Sequence, residues 1–480
     1  MDQSLPRSVT RLREGNAEVR RSQWQDFAII ILLIGLSIAF KLAFEASLPY
    51  FVNPKIMESL SLTLRENPLR ALWPGELEPG RFHWVPTSLL PFYALSQFLS
   101  AFQIYLVLSS LAGFTAFTLS RLSGRSRVFA VTLALLLMFG TQLSYGSTLG
   151  LTHLHYLVVT YTLLNLYAIG ACVRRGPSPT TLSLFGASLI LLALSTEIWI
   201  NYAIGLLLSC AFLSFWARHG ADIAVASASR TVAATVSILL GLYLAIRMTV
   251  ARQYMLPGAE EELIFTYKSY VLMAEDFITN FFTFLYMALS NFLPSFLASS
   301  NSLTYLGPDQ ILAGQNGYHP EFQHLAVMNH LFFWRFLAGI WVAGFVFAFY
   351  YAVRNAFEKR SGFYAAMVCC MLIVATGCCT YLLIKFRPYN STPALHYKAI
   401  ISILGVALLV SVLLEGVRSK VSSGRVYLAL AGAVWAILLI GDITRPGMIK
   451  AQLQSTGLTG YGDPLDMIRK KLGSQMPPVN

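Results

Sequence analysis

Apolar runs close to the length of a bilayer crossing recur from one end of this chain to the other. The first, Phe27 to Phe40 and on to Phe44, is followed by ten more, at 103–120, 128–143, 154–173, 180–196, 202–217, 231–250, 334–353, 363–384, 399–414 and 426–441. A spanning helix needs about 20 mostly apolar residues, so the shorter runs extend into their polar flanks. Of 480 residues, 56% are hydrophobic and 12% charged. Soluble domains carry roughly a quarter charged residues, so this composition excludes a water-soluble fold. Abundant apolar surface excludes disorder. The expected fold is an all-α integral membrane protein, a polytopic bundle of about 11 transmembrane helices whose long extracytoplasmic loops carry interfacial helices.

Two apolar stretches do not read as simple spans. Residues 84–102 (WVPTSLLPFYALSQFLSAF) hold two prolines and run almost directly into the next span, and residues 271–298 contain Glu275, Asp276, Asn280, Asn291 and Pro294. Both are read as interfacial or re-entrant. Residues 298–333 contain no Lys or Arg, whereas the turns 121–127 and 354–360 are rich in Arg. Cations favour the cytoplasmic side of short loops, so the first pattern belongs outside and the second inside. Parity then gives an odd number of spans, with the N-terminus cytoplasmic and the C-terminus extracytoplasmic. The domain reading is a cytoplasmic segment 1–26, a bundle 27–442 with outer loops at 45–102 and 251–333, and an outer tail 443–480. A bacterial inner membrane is the expected location.

This topology also accounts for the net charge of +12. The cytoplasmic segments hold 18 Lys/Arg against 7 Asp/Glu, and the outer side holds 17 against 16. The excess reports orientation, and the cations are too dispersed for a nucleic-acid face. All six cysteines (Cys172, Cys210, Cys369, Cys370, Cys378, Cys379) lie in apolar runs. The CC-x7-CC spacing of the last four, within MVCCMLIVATGCCTY, reads as small-residue helix packing in preference to a zinc site.

Polar chemistry gathers on the outer side, which holds seven of the eight histidines; the exception is His219. The first outer segment offers Glu45, Glu58, Glu66, Glu76 and Glu78 as bases and Arg65, Arg70 and Arg81 as anion partners. Glu45 follows Lys41 by one helical turn, which also fits a simple i,i+4 pair. His153 and His155 open the fourth span. They share a face on a strand but diverge by roughly 200° on a helix, which excludes a shared metal ion there. Glu197 lies in STEIWINY at the outer end of the fifth span. The last outer turn, KFRPYNSTPALHYK, supplies Lys385, Arg387, Tyr389, Asn390, His396, Tyr397 and Lys398. The inner turns RLSGRSR, RRGPSP and RSKVSSGR are short and chemically plain, and read as topological anchors.

This arrangement resembles the GT-C superfamily of membrane glycosyltransferases, which take sugars from polyprenyl-phosphate donors. The points of likeness are a first helix followed by a long, carboxylate-bearing outer loop, and the GRFHWVPTSLLPFYAL stretch, similar to that superfamily's short helix after the loop. The cytoplasmic Arg turn, the STEIW carboxylate and the late Arg/Tyr/His turn add to it. The resemblance implies a carboxylate general base that deprotonates the acceptor hydroxyl. The superfamily usually places an aspartate in this loop. Here there is no Asp between Asp26 and Asp222, so a glutamate takes that part, Glu45 first and Glu58 in reserve, with Glu197 as a further catalytic carboxylate. Lys385, Arg387 and Lys398 are the implied ligands of the leaving lipid phosphate. Arg81, His83, His153, His155, Tyr389, His396 and Tyr397 are the implied substrate-binding groups. The implied partners are membrane lipids, a polyprenyl-phosphate-linked sugar, and a glycan, lipid or protein acceptor, with no nucleic acid. The sequence requires no cofactor and leaves a divalent cation open.

Three other functions compete. A transporter or flippase is expected to show paired repeats and ionisable groups near the midplane, and neither is evident here. An envelope polysaccharide polymerase or ligase also uses outer-loop arginines. A non-catalytic assembly subunit is the fourth reading. No P-loop, HExxH, GxSxG or dinucleotide fingerprint occurs, so those enzyme classes have no support.

Overall fold

A computed structural model of the chain describes residues 7–44, 46, 86–140, 154–196, 198–220, 222–254, 281, 285, 288, 331–379, 400–418, 421 and 423–455. Among these residues the structure is all helix and loop, with no strand. In chain order the helices are α1 (Arg7–Phe44), α2 (Pro86–Ser96), α3 (Ala101–Leu122), α4 (Arg127–Met138), α5 (Leu154–Arg175) and α6 (Pro179–Ala193). They continue with α7 (Trp199–Gly220), α8 (Ile223–Tyr254), α9 (Leu331–Glu358), α10 (Gly362–Cys378), α11 (Ile400–Arg418) and α12 (Gly424–Ser455). Eleven of them fall on the apolar runs, and α2 falls on the Pro-bearing stretch set apart from them. Among the described residues, six helices, beginning with Ser22–Phe44 of α1, are long and apolar enough to cross a bilayer, and four more are apolar but shorter. The chain is a polytopic α-helical membrane protein.

Helix limits differ from the apolar runs where local chemistry overrides hydropathy. α1 begins at Arg7, twenty residues before its apolar run, because the residues between are mostly good helix formers with a single glycine, Gly15. α4 stops at Met138, short of the expected 143, and Phe139 closes it with an N–H to the Leu135 carbonyl. α3 and α6 open with capping boxes, Ser100 with Gln103 and Ser178 with Thr181.

Successive helices run up and down, so the bundle has two ends, named here for Asp26 and Lys41. At the Asp26 end the turn RLSGRSR is a clasp. Gly124, at φ +74°, allows the tight reversal between α3 and α4. Arg121 Nε and Arg127 Nε donate to the two Asp26 carboxylate oxygens, at 2.8 and 2.6 Å. Arg127 also reaches the Ser22 carbonyl and hydroxyl, at 3.2 and 3.1 Å. On the other side, Arg125 and the Ser126 backbone N–H donate to the two oxygens of Glu415, each at 2.9 Å. One seven-residue turn thereby ties α1 to α11. It is more than the anchor its composition suggested.

The interior is built on close helix approach. α10 lies against α11 so tightly that a Cβ on Gly377 would meet the Ser402 backbone nitrogen at 2.5 Å and the Ile401 carbonyl carbon at 3.0 Å. Gly405, from the opposite helix, approaches Val374 in the same way. Such small-residue seams substitute for a hydrophobic driving force that lipid does not supply. All six cysteines are free thiols; Cys369, Cys370 and Cys378 lie on α10 in this packed layer, and Cys379 caps its C-terminus. Phe281, Leu285 and Ala288, helical positions spaced on one face, also pack into the core.

The close packing and the clasp predict the stability of three variants. Gly377→Ala should cost about 1–3 kcal/mol, since backbone on α11 has to move to admit the methyl group. Gly432→Ala on α12, where a Cβ meets nothing within 4 Å, should be neutral or slightly stabilising. Thermal melting of the purified variants separates the two. Asp26→Asn should lower stability by about 1–2 kcal/mol, because two guanidiniums then face a neutral amide. Unchanged melting would show that the clasp contributes nothing.

Candidate functional site

α2 is where the Lys41 end departs from a simple bundle. Eleven residues rise about 16 Å, too little to cross roughly 30 Å of hydrocarbon. Its N-terminal turn abuts the C-terminal turn of α6. Thr87 N–H donates to the Leu194 carbonyl at 3.1 Å, the Thr87 hydroxyl to Leu191 at 2.7 Å, and the Ser88 hydroxyl to Ser195 at 2.9 Å. Orphan carbonyls at one helix end thus meet donors at another, and the positive and negative ends of two helix dipoles face each other. Pro91 has no N–H, which leaves the Thr87 carbonyl without its intrahelical donor. The Tyr161 hydroxyl on α5 fills that place at 3.0 Å.

Beneath this junction a buried polar group links α5, α6 and α7. Tyr202 donates to the Asn165 side-chain oxygen at 2.9 Å, and the Asn165 amide donates to the Ser188 hydroxyl at 3.0 Å and the Phe185 carbonyl at 3.3 Å. This network is complete in itself and reads as structural.

The chemically distinctive cluster lies where α1, α3 and α5 meet. Lys41, in the last turn of α1, is fully buried, and among the described residues it is the buried member of the Lys, Arg, Asp and Glu set. Its ammonium donates to the Ser109 hydroxyl on α3 at 2.8 Å. It lies 4.3 Å from the centroid of the Tyr105 ring and 6.0 Å from that of Tyr156 on α5. The Ser109 hydroxyl donates to the Leu106 carbonyl at 3.3 Å, so its oxygen lone pairs are turned to the ammonium. Tyr105 and Tyr156 pack at 6.0 Å between centroids, and both are fully buried. His155, the buried histidine among the described residues, has its ring centroid 4.4 Å from that of Tyr156. Phe40 on α1 packs edge-on against Phe139 beyond α4, at 5.7 Å, and fixes the turn that carries Lys41.

Of the residues singled out from sequence, His155 is the one within the described set, and it sits in this cluster. Its place on α5 also settles the geometry of that element as helix. Glu45, Glu58, Glu197, Arg81, His83, His153, Lys385, Arg387, Tyr389, His396, Tyr397 and Lys398 lie outside the described residues. The described helix ends next to several of them share one end of the bundle. Phe44 closes α1, Leu154 opens α5, Thr196 follows α6 and Trp199 opens α7. Cys379 and Ile400 bound the segment that contains the late Arg/Tyr/His turn, and α10 and α11 meet there at Gly377 and Ser402. Among the described residues, no group of three or more His, Cys, Asp or Glu is placed to hold a metal ion.

Sequence reading passed over Lys41, Ser109, Tyr105 and Tyr156. Lys41 was legible as an ionisable group inside a spanning run, which is a functional signal in its own right. Its i,i+4 relation to Glu45 drew attention outward, whereas the side chain turns inward to α3.

No protein-family profile matches the chain, and no curated protein is significantly similar to it. Among solved structures, it is similar to the archaeal oligosaccharyltransferase AglB from Archaeoglobus fulgidus, in complex with an inhibitory peptide and a dolichol-phosphate. The identity is 12%, the TM-score is 0.46, and the match covers 95% of this chain and 59% of that one. The chain therefore spans less than two thirds of the length of that protein.

Proposed function

We propose that the chain is a membrane glycosyltransferase that moves a sugar from a polyprenyl-phosphate donor to an extracytoplasmic glycan, lipid or protein acceptor. The observation that carries this reading is the convergence at the Lys41 end. A buried cation, a buried histidine and two buried phenols lie at the end of the bundle from which Glu45, Glu197, His153 and the 385–398 segment all depart. A buried cation, imidazole and phenols, with carboxylates and further cations on the segments that adjoin them in sequence, suit an anionic lipid carrier and a hydroxyl acceptor.

In this reading a carboxylate, Glu45 with Glu58 and Glu197 as its companions, takes the proton of the acceptor hydroxyl as that oxygen attacks the anomeric carbon. The bond from the anomeric carbon to the phosphate oxygen breaks, and the electron pair leaves with the lipid phosphate. Lys385, Arg387 and Lys398 offset its developing charge. Arg81, His83, His153, His155, Tyr389, His396 and Tyr397 hold the sugar and the acceptor. The Lys41 end is assigned to the extracytoplasmic face because the cation-rich turns at 121–127, 174–175, 354–360 and 418–425 mark the other end as cytoplasmic. An alternating-access transporter places its ionisable groups near the midplane. Lys41 instead lies three residues, or about 4.5 Å, from the end of α1.

The test is sugar transfer by purified protein supplied with a panel of polyprenyl-phosphate sugars. Glu45→Gln, Glu197→Gln and Arg387→Ala should each reduce product formation by about 100-fold or more while membrane insertion stays intact. Full activity in all three variants would refute this assignment of the site.

A further inference from the structure

α7 and α9 end side by side at the Asp26 end of the bundle. Trp216 Nε1 donates to the Ala356 carbonyl at 2.9 Å, and the Phe357 ring meets those of Phe215 and His219 edge-on, with centroids 5.5 and 5.7 Å apart. Arg218 adjoins His219 in sequence, and Lys359 and Arg360 follow Phe357, so three exposed cations stand on neighbouring turns. Arg360 holds the left-handed conformation, at φ +48°, just past the end of α9. After α3 and α5 such a place is taken by Gly124 and Gly176, the residue type it suits. An arginine here forgoes that ease, which points to a use for its side chain. Several other arginines have partners: Arg121 and Arg127 meet a carboxylate, and Arg174 and Arg230 return to carbonyls of their own helices. Among the described residues, the side chains of Arg218 and Arg360 make no hydrogen bond or ion pair, and Lys359 lies over the Tyr364 ring at 5.4 Å. The carboxylates on these turns are engaged, Glu358 by Arg354 at 2.7 Å and Asp222 by the Val225 N–H at 3.1 Å. Leading up to the cations, Ile204, Leu208, Ala211 and Phe215 recur every three or four residues as an exposed apolar stripe on α7. The stripe is about 16 Å long, close to the depth of one leaflet's hydrocarbon.

We propose that this corner binds an anionic glycerophospholipid of the leaflet at the Asp26 end. Arg218 and Arg360 take the phosphate through paired N–H donors, and Lys359 adds a point charge. One acyl chain lies along the α7 stripe, so headgroup and chain are both met from the bilayer side, with no passage into the core. Basic groups at the ends of neighbouring spanning helices suit such headgroups. A zwitterionic headgroup brings its own ammonium toward the same cations and is disfavoured. The site stands at the opposite end of the bundle from Lys41 and does not depend on the reaction carried out there.

The experiment measures binding of phosphatidylglycerol and phosphatidylcholine to the purified full chain in a neutral detergent. The wild-type protein should prefer phosphatidylglycerol by about tenfold or more. Arg360→Gly keeps the turn, because glycine suits its φ, and should weaken phosphatidylglycerol by about fivefold. Arg218→Gln combined with Arg360→Gly should weaken it by about twentyfold, with phosphatidylcholine held within about twofold. Arg174→Gln removes a cation from the same end but from another helix, and should leave both lipids within about twofold. Undiminished phosphatidylglycerol binding by the double variant overturns the site. A loss in Arg174→Gln as large as that in Arg360→Gly also overturns it, since it marks diffuse attraction to the whole basic end. Equal loss of phosphatidylcholine overturns it too, as a packing defect. If the double variant does not fold, Arg360→Gly decides alone, and unchanged affinity there overturns the site. Wild-type protein that binds both lipids equally has no such site. Inorganic phosphate that displaces phosphatidylglycerol at an ionic strength where chloride does not would reassign the cations to a soluble anion and overturn the lipid assignment.

Discussion

Inside a bilayer, a backbone or side-chain polar group has no water to turn to and must find its partner within the protein. Much of what is particular to this bundle answers that constraint. Pro91 would leave the Thr87 carbonyl orphaned, and Tyr161 supplies the missing donor from another helix. α6 ends in open carbonyls, and the hydroxyls of Thr87 and Ser88 take them up. Asn165 divides its amide between Ser188 and Phe185 while Tyr202 binds its oxygen. Each solution draws on at least two helices, so satisfying polar groups and fixing helix positions are one event.

Lys41 obeys the same constraint in a different manner. Its ammonium donates to the Ser109 hydroxyl and lies over the Tyr105 ring, so one buried side chain joins α1 to α3. At the Asp26 end, the carboxylates of Asp26 and Glu415 meet guanidiniums and hold the turns together.

Much of the fold was legible from apolar runs, because spanning helices require them and little else competes with that signal. The separate standing of α2 was legible too, through its two prolines and its short distance from α3. Contacts between distant residues were not. Glu415 lies 290 positions from Arg125, and no local pattern announces that the two meet. Nor does hydropathy reveal that α1 runs back to Arg7, since helix propensity extends it beyond the apolar window. For the site, His155 was recovered because histidine is conspicuous at the mouth of a span. Lys41 was passed over because a nearer acidic neighbour in sequence offered a simpler partner.

The clasp at RLSGRSR carries a temporal consequence as well as a spatial one. Its Asp26 half joins residues separated by about a hundred positions, whereas its Glu415 half waits for almost three hundred more. Chains enter the membrane from the N-terminus, and short closures cost less entropy than long ones. Arg121 and Arg127 are therefore neutralised early, when α1, α3 and α4 first meet. Arg125 and the Ser126 amide stay available until α11 arrives. The turn works as a two-stage latch, with its second position reserved for the helix that closes the bundle.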